Sequence, residues 1–177
     1  VRVGDFVVIR KAGDIIPEVV KPLIERRDKD LAAFEMISEC PKCSSVLVRK
    51  ETEADYHCDN LECPARLSEG LIHFASRGAM NIDGLGEKII EQLFDLGILT
   101  NIPSIYTLEK SADMLLEIER MGVKSINNLI HAIEESKKQG LEKLLFGLGI
   151  RHVGSKVSEV LAKRFRSLEK LINANYD

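Results

Sequence analysis

The four cysteines of this chain, Cys40, Cys43, Cys58 and Cys63, fall inside one 24-residue window in the pattern Cys-x2-Cys-x14-Cys-x4-Cys. Two close pairs joined by a hairpin-length spacer suit one tetrahedral zinc ion. Four thiolate ligands leave no open position for water, so such a site is structural and not catalytic. Two other readings exist. Two disulfides would belong to a secreted chain, and no basic stretch followed by an apolar run points to secretion. Four unlinked thiols seldom cluster in pairs. His57 adjoins Cys58, and sequence neighbours rarely both reach one metal, so His57 is not counted as a ligand.

A second set of residues recurs with a fixed form. Leu85-Gly86-Glu87-Lys88, Met121-Gly122-Val123-Lys124 and Val153-Gly154-Ser155-Lys156 all read apolar-Gly-x-Lys, at spacings of 36 and 32 residues. A glycine before a helix lets a ligand approach the backbone closely. The helix then offers its free N–H groups, with the positive end of its dipole behind them, which makes an anion site. A lysine in a first helical turn is unfavourable by about 0.3–1 kcal/mol unless an anion is near. Three such lysines in register therefore predict phosphate. The bland alternative is a helical bundle with glycine starts and solvated lysines.

The elements that position these residues follow from periodicity. Apolar residues share a helical face at Leu67, Leu71, Phe74 and Ala75, and at Ile89, Ile90, Leu93 and Phe94. The same holds for Ile126, Leu129, Ile130 and Ile133, and for Val157, Val160, Leu161 and Phe165. Earlier helical stretches at 67–77, about 111–118 and 141–148 complete a unit of helix, glycine-bearing hairpin and helix. Residues 5–11 and 17–24 read as strands around a Gly13-Asp14 turn, and 46–50 and 55–58 as short strands between the cysteine pairs. The fold class is α+β in several parts: residues 1–37 strands, 38–66 a small zinc ribbon holding the four cysteines, 67–177 an all-α hairpin-repeat domain.

Charge narrows the function classes. The 177 residues carry net charge −3, which excludes a globally basic nucleic-acid binder and leaves local contacts. Segments 1–27 and 140–177 carry +2 and +3, whereas 28–66 and 67–139 carry −4 each. The acidic zinc module is thus expected to hold strands against helices and not to be the main phosphate contact. Arg151, His152, Lys156, Lys163, Arg164 and Arg166 form the densest basic cluster. Arg10 and Lys11 are further phosphate candidates, or else a charged edge that blocks aggregation. No run of about 18 apolar residues exists to span a membrane. The first residue is Val1, which reads as a piece of something longer.

Ile82-Asp83-Gly84-Leu85-Gly86 resembles a helix-hairpin-helix DNA-binding motif. The order matters more: Arg10-Lys11-Ala12-Gly13-Asp14-Ile15-Ile16-Pro17, then the cysteines, then serial hairpins including Gly149-Ile150-Arg151-His152-Val153-Gly154. That order resembles the C-terminal half of bacterial NAD-dependent DNA ligase over essentially the whole chain. The resemblance implies that residues 1–37 end an OB-fold and that structural zinc fills the cysteines. It implies that Gly84, Gly86 and Lys88, Gly122 and Lys124, and Arg151, His152, Gly154 and Lys156 grip DNA phosphates. Arg120 and His152 stand where the first hairpin has Gly84, which points to different turn backbones and puts amide contacts first at the first hairpin. A fourth unit beginning at Leu168 would place its hairpin beyond Asp177, as would the family's BRCT domain.

The family's nucleotidyl-transfer motif, Lys-x-Asp-Gly, does not occur in the 177 residues. NAD and Mg2+ are therefore expected only in the intact parent enzyme, and neither adenylation nor nick sealing is expected of this chain alone. Expected partners are double-stranded and nicked DNA and the catalytic half of the same ligase, in the cytoplasm. The rival reading is a protein-interaction scaffold in which the glycines only turn the chain.

Overall fold

The computed structural model describes residues 1–13, 15–51, 53–118 and 121–175. Asp14 of the first turn and Arg120 of the second hairpin lie outside the described residues. Mixed strands and helices form two compact units, Val1–Asp59 and Asn60–Asp177.

In the first unit, β1 (Val7–Ala12) pairs antiparallel with β2 (Ile16–Pro22), with a register irregularity between Val8 and Ile9. Neighbouring strand positions point to opposite faces. Val8, Ile9, Val19 and Val20 are all exposed, so neither face of the hairpin is covered. What orders the flanking chain is polar. The buried Asp5 carboxylate accepts from Arg27 Nε at 2.6 Å and Nη2 at 2.7 Å, and from the Arg2 backbone N–H at 2.7 Å. The Arg27 guanidinium holds the Asp5 carboxyl down to about 2. β3 (Leu47–Val48) pairs antiparallel with β4 (His57–Cys58).

The second unit opens with α1 (Pro64–Ala75), where Pro64 takes the first helical turn and its missing N–H costs nothing. The chain then folds back, and Met80 and Ile82 donate their N–H groups to the Phe74 and Ala75 carbonyls. α2 (Glu87–Asp95) stops at Leu96 and Gly97, whose φ of +70° suits glycine; Ile98 N–H returns to Leu93 O at 2.9 Å. α3 (Ile102–Ile105) starts with a capping box between Asn101 and Ser104.

The helix expected at about 111–118 is not one helix. A 3-10 turn, Leu108–Ser111, leads into α4 (Ala112–Leu115). Leu108, Leu115 and Ile118 are all buried in the same core, and bending the chain brings all three inward. Pieces this short have little helical stability of their own, so packing decides their shape. α5 (Val123–Ser136) buries Ile126, Leu129 and Ile133, spaced as the sequence predicts. α6 (Leu141–Gly147), α7 (Ser155–Phe165) and α8 (Leu168–Ile172) follow.

One core runs from α1 through α5, with Phe74, Ile90, Leu93, Ile105 and Leu129 essentially inaccessible. α6 joins α1 through specific ties. His73 Nε2 lies 2.8 Å from Phe146 O, their rings meet edge to face at 4.7 Å, and Lys143 Nζ donates to Gly78 O at 3.0 Å. At Gly147 a Cβ would come within 3.2 Å of the Phe74 ring and 3.3 Å of the Ala79 Cβ, so any larger residue would need these neighbours to shift by a few tenths of an ångström.

Candidate functional site

The cysteine module is built by two tight turns and a two-residue ladder. After Cys40-Pro41-Lys42-Cys43, Ser44 adopts a left-handed φ of +56° and donates its N–H to Cys40 O. Cys40 N–H donates to Ser45 O at 2.8 Å. Pairing of Leu47 with Cys58 sets the third sulfur beside the first pair. Cys63 caps α1 and donates its N–H to Asn60 O.

The four Sγ atoms lie within 4.8 Å of one another, and Cys43 and Cys58 sulfurs are 3.5 Å apart. None of the four is in a disulfide. A disulfide needs sulfurs at about 2.05 Å. Thiolates at about 2.3 Å from a tetrahedral zinc ion would stand about 3.8 Å apart. The spacing matches the metal and not the disulfides, and Cys40 and Cys63 are buried as a closed site requires. His57 is outside the sulfur cluster. Its ring instead lies within ion-pair distance of Asp59, at 3.2 Å, and of Glu53, at 3.8 Å.

The three glycine-lysine segments share one local geometry. Each is preceded by a turn closed by a backbone hydrogen bond: Leu85 N–H to Ile82 O, Met121 N–H to Ile118 O, Val153 N–H to Ile150 O. A type II turn, unlike the commoner type I, puts its third residue at positive φ. Gly84 has φ +86° there, and His152 has φ +67°. The exchange of glycine for histidine therefore leaves the backbone of the third turn in the same region as the first, against the sequence expectation. The turn's hydrogen bond and the following helix outweigh the local preference of His152.

Gly86, Gly122 and Gly154 each sit at the N-cap of α2, α5 and α7, extended and with no side-chain cap. All three have negative φ, and a Cβ at any of them would meet nothing within 4 Å. Neither backbone strain nor internal packing calls for glycine at these places. Lys88, Lys124 and Lys156 all occupy the second helical position and are exposed. Lys156 Nζ comes within 3.7 Å of Glu159, a pair too exposed to hold it firmly.

α6 starts differently. Its N-cap is also a glycine, Gly140, but the Glu142 carboxylate folds back to 2.5 Å from where a Cβ would sit. That helix start already has an anion. α5 and α7 have no acidic residue in their first turn.

Beside the first hairpin, a cleft of about 290 Å³ is lined by Arg77, Asn81, Asp83, Gly84, Gly86 and Glu87, among others. Arg77 was not singled out from the sequence. Its position at the end of the first helix of a hairpin unit was the available signal. Asp83 and Glu87 oppose an anion in this cleft, so here the amides and Arg77 would have to attract it. Arg151 and His152 are exposed on the third turn. Arg10 is exposed and pairs with Glu18 at 2.9 Å, and Lys11 beside it is exposed.

These features define a class: a four-cysteine zinc module followed by serial helix-hairpin-helix units. Residues 39–65 match the NAD-dependent DNA ligase C4 zinc finger domain, and residues 143–177 match the helix-hairpin-helix motif. The chain is 56% identical over 177 residues, all of its length, to a DNA ligase of Halalkalibacterium halodurans. It is 53% identical over 175 residues, 99% of its length, to a DNA ligase of Bacillus subtilis. It spans 26% of the length of these curated relatives. Along its whole length the chain is therefore related to bacterial DNA ligases, and its cysteine module is that of the NAD-dependent class. Among the described residues, no helix is long and apolar enough to cross a membrane.

Proposed function

We propose that this chain is the non-catalytic, DNA-gripping portion of a bacterial NAD-dependent DNA ligase. It holds duplex DNA around a nick, independently of base sequence, while the catalytic half of the same enzyme seals the nick. The observation that carries this reading is the set of three exposed glycine starts whose helices lack side-chain caps and acquire a lysine at the second position. Bare amides and a nearby cation are what a phosphate needs.

The contacts fall to Gly84, Gly86 and Lys88 at the first hairpin, Gly122 and Lys124 at the second, and Arg151, His152, Gly154 and Lys156 at the third. The third hairpin carries the larger electrostatic share, because its first turn has no acidic residue and Lys163 and Arg164 follow on the same helix. Arg10 and Lys11 add phosphate contacts from the strand hairpin, which forms the end of an OB-fold. Zinc at the four cysteines orders the module and takes no part in chemistry. NAD and Mg2+ serve the intact cytoplasmic enzyme through its other domains. Phosphate contacts position a protein without reading sequence.

Electrophoretic retention of nicked duplex tests the reading. Retention should fall as salt rises, through release of counterions. Lys88→Glu combined with Lys156→Glu should abolish it. A scaffold whose glycines only turn the chain predicts no retention by the wild type and no effect of the pair. Sequence-selective retention with a flat salt response would overturn the proposal.

A further inference from the structure

A groove of about 440 Å³ is lined by Gln92, Asp95, Leu96, Ile98, Met114, Glu117 and Ile118, the last of which opens the second hairpin turn. It sits at the C-terminal end of α2 and beside α4. Its walls are apolar and its rim is acidic. Leu96 is 61% exposed and Met114 52%, although large apolar side chains next to a well-formed core ordinarily turn inward. Two such residues flank one depression, which gives a contiguous apolar floor with Ile98 and Ile118.

Among the described residues that line the groove, the charge has one sign. Among the described lining residues, Asp95 and Glu117 are charged, both acidic, and both are exposed. The last carbonyls of α2 add the negative end of its dipole, and no basic residue stands in its last turn. Asp95 at that end is unfavourable unless a cation comes to it. DNA is repelled from such a rim. A small polar ligand would find few convergent donors, since Gln92 is the uncharged polar side chain of the lining.

We propose that this groove docks a basic amphipathic segment of a partner protein, apolar side chains on Leu96, Ile98, Met114 and Ile118, and lysines or arginines against Asp95 and Glu117. A methionine in the floor adapts to side chains of varied shape. None of the lining residues is among the proposed phosphate contacts, so the two sites can be tested by different substitutions.

The test uses the 177-residue chain and two synthetic peptides with leucines at helical spacing, one filled with lysine and one with glutamate. Methyl resonances are followed by NMR. The leucine–lysine peptide should shift the methyl signals of Leu96, Ile98, Met114 and Ile118, and the leucine–glutamate peptide should not. Met114→Lys or Leu96→Lys should weaken binding by about tenfold or more, as loss of a central apolar anchor does. Both residues are exposed, so circular dichroism should be unchanged. Asp95→Asn with Glu117→Gln should weaken binding and flatten its salt dependence. The proposal is overturned if both peptides bind alike, if shifts fall instead on the methyl groups of Val46, Leu47 and Val48 in the acidic zinc module, or if the lysine substitutions change nothing. It is also overturned if light scattering shows a dimer that Met114→Lys or Leu96→Lys returns to monomer, since a second copy of the chain would then fill the groove. None of these results alters retention of nicked DNA, which is measured separately.

Discussion

The first two hairpins and the third are closed by the same backbone hydrogen bond but rest on different foundations. Ile82 and Leu85, and Ile118 and Met121, close the first two turns and are buried in one shared core. The matching residues of the third are Ile150, which is exposed, and Val153, which is half-buried. Val157, Val160, Leu168 and Ile172 are exposed as well. A repeat cannot bury its apolar face alone and needs a stacked neighbour. The first two hairpins are each other's neighbour. The third is held through α6, by His73, Lys143 and the close approach at Gly147. One closing hydrogen bond can therefore be kept by a core in two cases and by a few polar and steric ties in the third.

Removing the core should break the first two hairpins. Phe74→Ala is expected to cost about 3–5 kcal/mol, read as a lower urea midpoint, because the ring is fully buried and packs against Gly147 as well. The equivalent truncation on the exposed side, Val160→Ala, should change stability by no more than about 0.5 kcal/mol. Equal losses at the two sites would mean that the third unit has a core too.

Between these extremes lies Gly84→Ala. Its φ of +86° makes any Cβ strained, and a loss of about 1–2 kcal/mol is expected from thermal melts. A smaller loss is expected from His73→Ala. Deleting the bond to Phe146 O should cost about 1 kcal/mol, with faster amide exchange confined to α6 and α7. Exchange that quickened in α2 and α5 instead would show the three units to be one. One further effect has the opposite sign. His152→Gly should stabilise by up to about 1 kcal/mol, since it relieves a left-handed histidine but adds freedom to the unfolded chain. A measured loss would show that the histidine side chain holds the turn.

Much of this was legible beforehand. The cysteine spacing identified a four-sulfur site because ligand pairs of a tetrahedral ion come from adjacent tight turns. The helices 87–95, 123–136 and 155–165 were legible because their apolar residues recur at helical spacing. The stretch about 111–118 was misread, since its buried Leu108, Leu115 and Ile118 are placed by bending and not by a helical period. For His73 no local pattern marks a role, and for Arg77 the only signal is its place after the first helix of a hairpin unit. One gains its role from a carbonyl 73 residues away, the other from the cleft its neighbours happen to line.

Residue order alone determined the four metal ligands, the glycine-lysine repeat and the helical faces, because each is a matter of spacing along one or two turns of chain. The left-handed backbone at His152, the carboxylate that fills the start of α6, and the unequal burial of the three hairpins were decided only in three dimensions. Those depend on which distant surfaces meet, and contact between distant surfaces leaves no period in a sequence.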